Sequence, residues 1–431
     1  MQTTPGVAFI TLGCPKNEVD TDRMRASVDG SAFRVEDDPG LADVVVVNTC
    51  SFIAEATEES IATILDLLGD KSGGPSPKLV VAGCMPARYG EDLPALLPEV
   101  SAFVPVADES GLLEVLERLT GLPAYPDATA PTRTVSGATA YLQIADGCHR
   151  HCSYCTIPAI RGPYVSRPLA DILAETRELV ALGAREIVLI GQDTSAYGRD
   201  LVSTDTLADV VRAVAAVSGV AWLRLMYVQP DGITDDLLAA IAENPNVVRY
   251  LDMPLQHASA SVLRAMHRSG DAAAFLDLVA RVRLALPGVV LRTTIIAGHP
   301  GEGAADFATL LNFLEQASLD YVGVFAYSPE EGTDAAILPH QVPARTRRAR
   351  AQRVRDAADA ISVDRVAQRV GDVVEVLVQG VDEDEGVVVG RWRGQAPEID
   401  GLVLLDRGEP GQIVSARIVD SIGYDLEGEV L

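Results

Sequence analysis

The sequence predicts an α/β chain in three parts: an N-terminal doubly wound parallel sheet, a central incomplete (β/α)6 barrel and a C-terminal small antiparallel β-barrel. Three observations carry this. Near the start, β-branched runs alternate with helix-length segments, and each run leads into a cysteine. In the middle, six further strand candidates alternate with helical segments. Past about residue 371 the style changes to short strands separated by turn residues. The limits drawn from these changes are 1–122, a linker at 123–139, 140–366 and 367–431.

The first part rests on "GVAFITLGC", "ADVVVVNTC" and "PKLVVAGCM". In open α/β sheets, ligands bind beyond the carboxyl ends of the strands. Cys14, Cys50 and Cys84 are therefore expected to converge on one edge, 36 and 34 residues apart in sequence. The alternative is that small, apolar cysteines simply fill core space.

The stretch "PAYPDATAPTRTVSGATA" lacks helical periodicity and reads as a linker. The central part then offers "AYLQIADGC", "EIVLIGQD", "AWLRLMYVQP", "VRYLDMPLQ", "VVLRTTIIAG" and "YVGVFAYS" as strands, with helices such as "LADILAETRELVALGA" between them. Six such units suggest a partial barrel whose chemistry gathers at the strand C-termini. An Arg-rich helix from Arg345 to Arg355 follows, which could contact RNA but reads rather as packing on acidic faces or as solvated. The last part holds "VVEVLVQG", "EGVVVGRW", "GLVLLD" and "QIVSARIVDSIGYDLEGEVL", with fourteen acidic residues against four arginines from residue 371 onward.

At 431 residues, nearly half of them hydrophobic, the chain is long enough for two or three cores. A net charge of −26 argues against a partner held mainly through phosphates, so direct nucleic-acid binding is not expected. The N-terminal "VAFITLGC" ends like a lipoprotein cleavage site, but no Lys or Arg precedes it. No apolar run is long enough to span a membrane, and the expected compartment is the cytoplasm. Six cysteines are too few for a disulfide scaffold in a chain of this length.

Their second group lies in "GCHRHCSYC", which places Cys148, Cys152 and Cys155 in one loop. Sulfur donors select zinc, copper(I) or iron-sulfur clusters. Zinc sites usually show paired C-x2-C knuckles, whereas this loop has one x3 and one x2 gap. A four-iron cluster held by three cysteines keeps one iron open to a substrate or cofactor. His149 and His151 lie between the cysteines, where a ring reaching the fourth iron would be strained. Tyr154 is a candidate contact for a flat base, or a core residue.

The C-x3-C-x-aromatic-C loop after the first strand of a six-unit partial barrel resembles the radical S-adenosylmethionine enzymes. That resemblance implies a 4Fe-4S cluster on Cys148, Cys152 and Cys155, with the methionyl amine and carboxylate chelating the open iron. It also implies reductive cleavage to a 5′-deoxyadenosyl radical that abstracts hydrogen from an unactivated carbon. Gln192 and Asp193 in "IGQD" resemble the contact to the methionyl amine, and Gln256 in "PLQH" or the strand "TIIAG" one to ribose or adenine. Each could equally satisfy backbone groups at a strand end. "GHPGE" lacks the Lys and Ser/Thr of a phosphate loop and reads as a sharp turn.

With an N-terminal three-cysteine domain and a C-terminal small barrel, the whole chain is similar to the methylthiotransferases, whose last domain is TRAM-like. The resemblance implies a second 4Fe-4S cluster on Cys14, Cys50 and Cys84 that carries the sulfur for insertion. It implies S-adenosylmethionine used twice, as methyl donor and as radical source, and an external electron donor and sulfur donor. "GCPKNEVDTDRM", "RGPYVSRP", "YLDMPLQHAS", "YSPEEGT" and "APEIDG" resemble the branch that modifies an aspartate of the small-subunit ribosomal protein S-twelve. An acidic barrel suits so basic a partner. The competing readings are the same chemistry on a tRNA adenosine and, in another class, an iron-sulfur electron-transfer protein. "GRWRG" departs from the branch's pattern at Trp392, which could serve as an exposed anchor for a partner.

Overall fold

The computed structural model describes residues 4–29, 31–69, 77–123, 132–135, 137–382 and 386–431. Most of the expected linker, at 124–131 and 136, and part of the acidic run, at 383–385, lie outside the described residues. The chain forms two compact units. One comprises Met1–Thr134, Asp146–Arg150 and Cys155–Val165; the other comprises Val135–Ala145, His151–Tyr154 and Ser166–Leu431.

The first unit is built on a parallel sheet of β1 (Gly6–Thr11), β2 (Arg34–Glu36), β3 (Val44–Thr49), β4 (Lys78–Gly83) and β5 (Ala102–Pro105), in the order β2-β1-β3-β4-β5. All six residues of β3 are buried. Val44 and Val46 enter one hydrophobic cluster with Met24, Leu112 and Leu116, while Val45 and Val47 enter another with Ile64, Met85 and Leu93. The alternation follows from the two-residue strand period, and the uninterrupted apolar run from a strand covered on both faces. Such a run does not by itself fix register. The polar residues at its end do: Asn48 Nδ2 donates to the carbonyl of Asn17 at 2.9 Å, and Thr49 Oγ1 to that of Ala82 at 2.6 Å. Both side chains are fully buried, so a slip would strand them without partners.

The second unit begins with β6 (Thr139–Gln143), followed by the short β7 (Ala145–Asp146) and β8 (Val165–Ser166). β9 (Glu186–Ile190), β10 (Trp222–Leu225), β11 (Val247–Asp252), β12 (Val290–Ala297) and β13 (Tyr321–Ala326) complete a sheet ordered β13-β12-β11-β10-β9-β6. Every pairing is parallel, so all six carboxyl ends share one edge, and the sheet stays open as expected for a partial barrel. Leu142, Leu189, Leu225, Leu251 and Leu291 are register partners across five strands and are all buried. This row anchors the main core.

The helix Ala344–Ala367 leads to five strands: β14 (Val373–Val381), β15 (Val388–Trp392), β16 (Val403–Leu405), β17 (Ile413–Ile422) and β18 (Asp425–Val430). They close into a barrel in the order β14-β15-β16-β18-β17. Its pairs are antiparallel except for β16 and β18, which run parallel where the barrel closes. The barrel packs with the central sheet in one unit, through charge. Arg391 on β15 donates to Glu186 at 2.5 Å and Thr139 at 2.8 Å, Arg224 donates to Glu186 at 2.7 Å, and Tyr250 donates to Asp400 at 2.7 Å. Trp392 is not the exposed anchor the sequence allows: it is half-buried, with the Arg369 guanidinium 4.9 Å from its ring. No described helix is long and apolar enough to cross a membrane.

Candidate functional site

β1, β3 and β4 are neighbours in the first sheet, so the residues that follow them meet at its carboxyl edge. Cys14 is half-buried there, Cys50 and Cys84 are buried, and none of the six cysteines is joined in a disulfide. Gly13 has φ +105°, and a Cβ on it would lie 2.5 Å from Cys50 Cβ. Only glycine permits both that backbone and that approach. Asn17, three residues after Cys14, ties the set together. Its Nδ2 donates to the carbonyl of Thr49 at 2.9 Å, and its Oδ1 lies 3.5 Å from Cys14 Sγ and 4.0 Å from Cys84 Sγ.

Behind these sulfurs stands Arg161, its side chain 1% exposed. It donates to Asp20 at 2.7 Å and Asn17 Oδ1 at 3.4 Å, and lies 3.9 Å from Cys84 Sγ. A further contact reaches Asp146 at 3.5 Å. Burial works against the charge on Arg161, but Asp20, Cys84 and Asp146 outweigh it and hold the guanidinium protonated. Burial also pushes the Cys50 thiol up, and Cys84 up to about 12 despite Arg161. Nearby Glu109 is raised to about 9, by burial and by Asp20. The edge therefore stores one fixed positive charge and two buried thiols, Cys50 and Cys84, that become good donors only when a positive centre displaces their protons.

The second cysteine group follows β6. Gly147 (φ +67°) brings the backbone so close to Pro163 that a Cβ would lie 2.1 Å from its carbonyl oxygen. Cys148 N donates to the carbonyl of Gly162 at 3.2 Å. In the second unit, Ser153 N donates to the carbonyl of Met266 at 3.1 Å, and its Oγ to that of Ala265 at 2.7 Å. Arg268 donates toward Cys152 Sγ at 3.7 Å while held by Gln229 at 2.6 Å and the Pro254 carbonyl at 2.7 Å. His299 lies 3.3 Å from Ser153 Oγ, and burial lowers it to about 4, so it is a neutral strut at neutral pH. His151 is exposed, and His149 faces the Tyr164 ring at 6.2 Å.

Gln192 and Asp193 follow β9 after Gly191, with Asp193 buried and accepting from Ser195 Oγ at 2.5 Å. Gln256 has φ +70° and bridges β12 through Thr294 and Ile296. All three lie on the carboxyl edge of the central sheet. Tyr154 packs partly buried against the main core. "GHPGE" is a turn: Glu302 Oε2 accepts from Gly298 N at 2.6 Å, and Arg350 pairs with Glu302 at 2.8 Å. Sequence reasoning missed Asn17, Arg161 and Arg268. Asn17 stood in view three residues after a cysteine, but the arginines had no local signal.

The donor chemistry discriminates among metals. Among the described residues no three Cys, His, Asp or Glu side chains converge tightly enough for a single ion. Both sets offer cysteine sulfur as donor, which suits zinc, copper(I) or an iron-sulfur cluster.

Comparison with known proteins agrees with this order of parts. Residues 6–105 match the family described as Uncharacterized protein family UPF0004, 142–314 the Radical SAM superfamily and 370–431 the TRAM domain. Among solved structures, the radical S-adenosylmethionine methyltransferase TsrM from Kitasatospora setae is similar at a TM-score of 0.55 and 16% identity, over 78% of this chain and 77% of that one. The cobalamin-dependent S-adenosylmethionine radical enzyme OxsB follows at 0.52 and 12%, over 78% of this chain and 55% of that one. At such identities they speak to the fold alone. The central part thus has the fold of the radical S-adenosylmethionine class. The ribosomal protein uS12 methylthiotransferase RimO of Geobacter sulfurreducens is 45% identical over 99% of this chain and 98% of its own. That of Trichlorobacter lovleyi is 42% identical over the same shares. The chain belongs to the RimO family of methylthiotransferases.

Proposed function

We infer that the protein is a radical S-adenosylmethionine methylthiotransferase that converts a β-carbon C–H of an aspartyl residue of ribosomal protein uS12 into C–S–CH3. The observation that carries this reading is the pair of three-sulfur sets. A radical enzyme needs only the loop with Cys148, Cys152 and Cys155; a second set at Cys14, Cys50 and Cys84 is what a sulfur inserter adds. Two 4Fe-4S clusters, each with one open iron, would supply radical generation from S-adenosylmethionine at the loop and a sulfur to be inserted at the N-terminal edge.

The chain's own residues have separable tasks. Cys148, Cys152 and Cys155 are the ligands of one cluster, and Cys14, Cys50 and Cys84 those of the other. Gln192, Asp193 and Gln256 line the edge where the nucleoside would lie, and Tyr154 offers it an aromatic face. Arg268 fixes Cys152, and Asn17 spaces Cys14 from Cys84. The barrel keeps an acidic outer face, because its Arg391 is buried against Glu186 and neutralises nothing outside. That face suits docking of a basic ribosomal protein in the cytoplasm, with electron and sulfur donors acting from outside the chain.

Anaerobic reconstitution should give about eight irons per chain, as two four-iron clusters require. Cys148→Ala should halve the iron and abolish 5′-deoxyadenosine formation. Mass spectrometry after incubation with reductant and either a uS12 peptide or a tRNA stem-loop decides the substrate. Methylthio addition to the RNA alone would sink the reading.

A further inference from the structure

We propose that the arginine-rich start of helix Ala344–Ala367 is a docking surface for the RNA phosphates that surround uS12 in the assembled small ribosomal subunit. The inference rests on the substrate being uS12. Arg345, Arg348 and Arg353 are exposed. None of the three has a carboxylate partner among the described residues. Arg345, Arg350 and Arg353 border an open groove of about 490 Å³ whose far wall is Ala304, Phe307 and Leu311. No acidic side chain lines it. Arg350 is spoken for by Glu302, and it holds the helix in place. Arg353 rests its guanidinium 5.2 Å from the Phe307 ring and is itself exposed.

Position matters as much as charge. Arg347 lies against Gly298, where a Cβ would come within 2.6 Å of its Cγ, and 5.6 Å from the ring of Tyr327. Gly298 follows β12 and Tyr327 follows β13, so the first turns of this helix stand at the carboxyl edge that holds Gln256 and the Ser153 strut. A uS12 segment entering that edge carries its surroundings with it, and in a ribosomal subunit these are largely RNA. A chain with a net charge of −26 is repelled by such a surface wherever its own face is acidic. Three exposed arginines without a carboxylate partner among the described residues, on the helix that starts at this edge, replace that repulsion by counterion release where contact is needed.

The net-charge argument against nucleic-acid contact averages over a surface that is not uniform. An acidic barrel can hold the basic protein while the arginine rim meets the RNA around it. Arginine also suits the task better than lysine, because its planar fork pairs with phosphate oxygens two at a time.

The test titrates the full-length protein with purified small ribosomal subunits and, separately, with isolated uS12, across a salt series. R345E/R348E/R353E should bind subunits at least about tenfold more weakly, with the slope of log affinity against log salt reduced by about 2. R345Q/R348Q/R353Q should show a smaller loss in the same direction, which separates lost attraction from added repulsion. Methylthiolation of isolated uS12 and the melting temperature should stay unchanged in both. Subunit affinity equal to that of the unaltered protein would overturn the proposal, as would an equal loss toward isolated uS12. Binding to polyglutamate as tight as to RNA of equal charge would assign the rim to an acidic protein and overturn it too. Arginine-dependent subunit binding without any methylthiolation of uS12 would instead refute the functional reading and leave the RNA surface standing.

Discussion

At the residue scale, Arg161 shows how much of a site can rest on one side chain that carries none of its named chemistry. It is buried beside Cys84 and paired with Asp20, and it supplies the positive charge against which an anionic sulfur set can be stable. Removing one partner of a buried pair leaves the other uncompensated, at about 3–5 kcal/mol. Arg161→Met is expected to lose that much in a thermal or denaturant melt of the apoprotein. Arg161→Lys should recover part of the loss, because a lysine keeps the charge but cannot reach Asp20 and Asn17 together. A melt indistinguishable from that of the unaltered chain would remove Arg161 from this role. The cysteines were legible because each closes a strand run or sits in a compact spacing. Arg161 was not, because its partners Cys84 and Asn17 lie 77 and 144 residues away. No local pattern announces such a contact.

At the scale of elements, the strands of both sheets could be read from the sequence, since "ADVVVVNTC" and "VVLRTTIIAG" need no tertiary information to be strands. What could not be read was how the barrel is fastened. Glu186 opens β9, Arg224 lies on β10 and Arg391 on β15, and none of the three stands out in sequence from an ordinary surface charge. Together they form a fully buried triad. Burial alone would raise the Glu186 carboxyl, but Arg391 and Arg224 together hold it down at about 2. A depressed carboxylate stabilises the fold fully above its ordinary value near 4.5 and loses that contribution as pH falls toward 2. Glu186→Gln should therefore cost about 3–5 kcal/mol at neutral pH. It should also flatten the acid limb of a stability profile in that window. An acid limb unchanged by the substitution would show that the triad does not fasten the barrel.

At the scale of the molecule, charge is distributed by task. Arg391 of the barrel is spent inside against Glu186, while Asp420, Glu409 and Glu429 remain exposed. Replacing these three by lysine should raise the KM for uS12 by about three- to tenfold, most strongly at low salt, through a slower encounter. Uncoupled 5′-deoxyadenosine formation should not change, and if it falls in parallel the barrel does more than dock. Net charge alone could not disclose this arrangement. The sum of −26 is compatible with many surfaces, and only the fold separates an acidic barrel from an arginine rim.

The passage of the chain through its two compact units bears on inheritance. Residues 146–150 and 155–165 belong with the N-terminal sheet although they lie within the central stretch of sequence. A recombination event in the linker would move the first three cysteines into a new gene without Arg161, and would deprive the buried Asp20 of its hydrogen-bonded counter-charge. The N-terminal sheet with its three cysteines is therefore not a cassette that can be shuffled by itself. Wherever it is inherited in working form, the segment after the second cysteine loop has to travel with it.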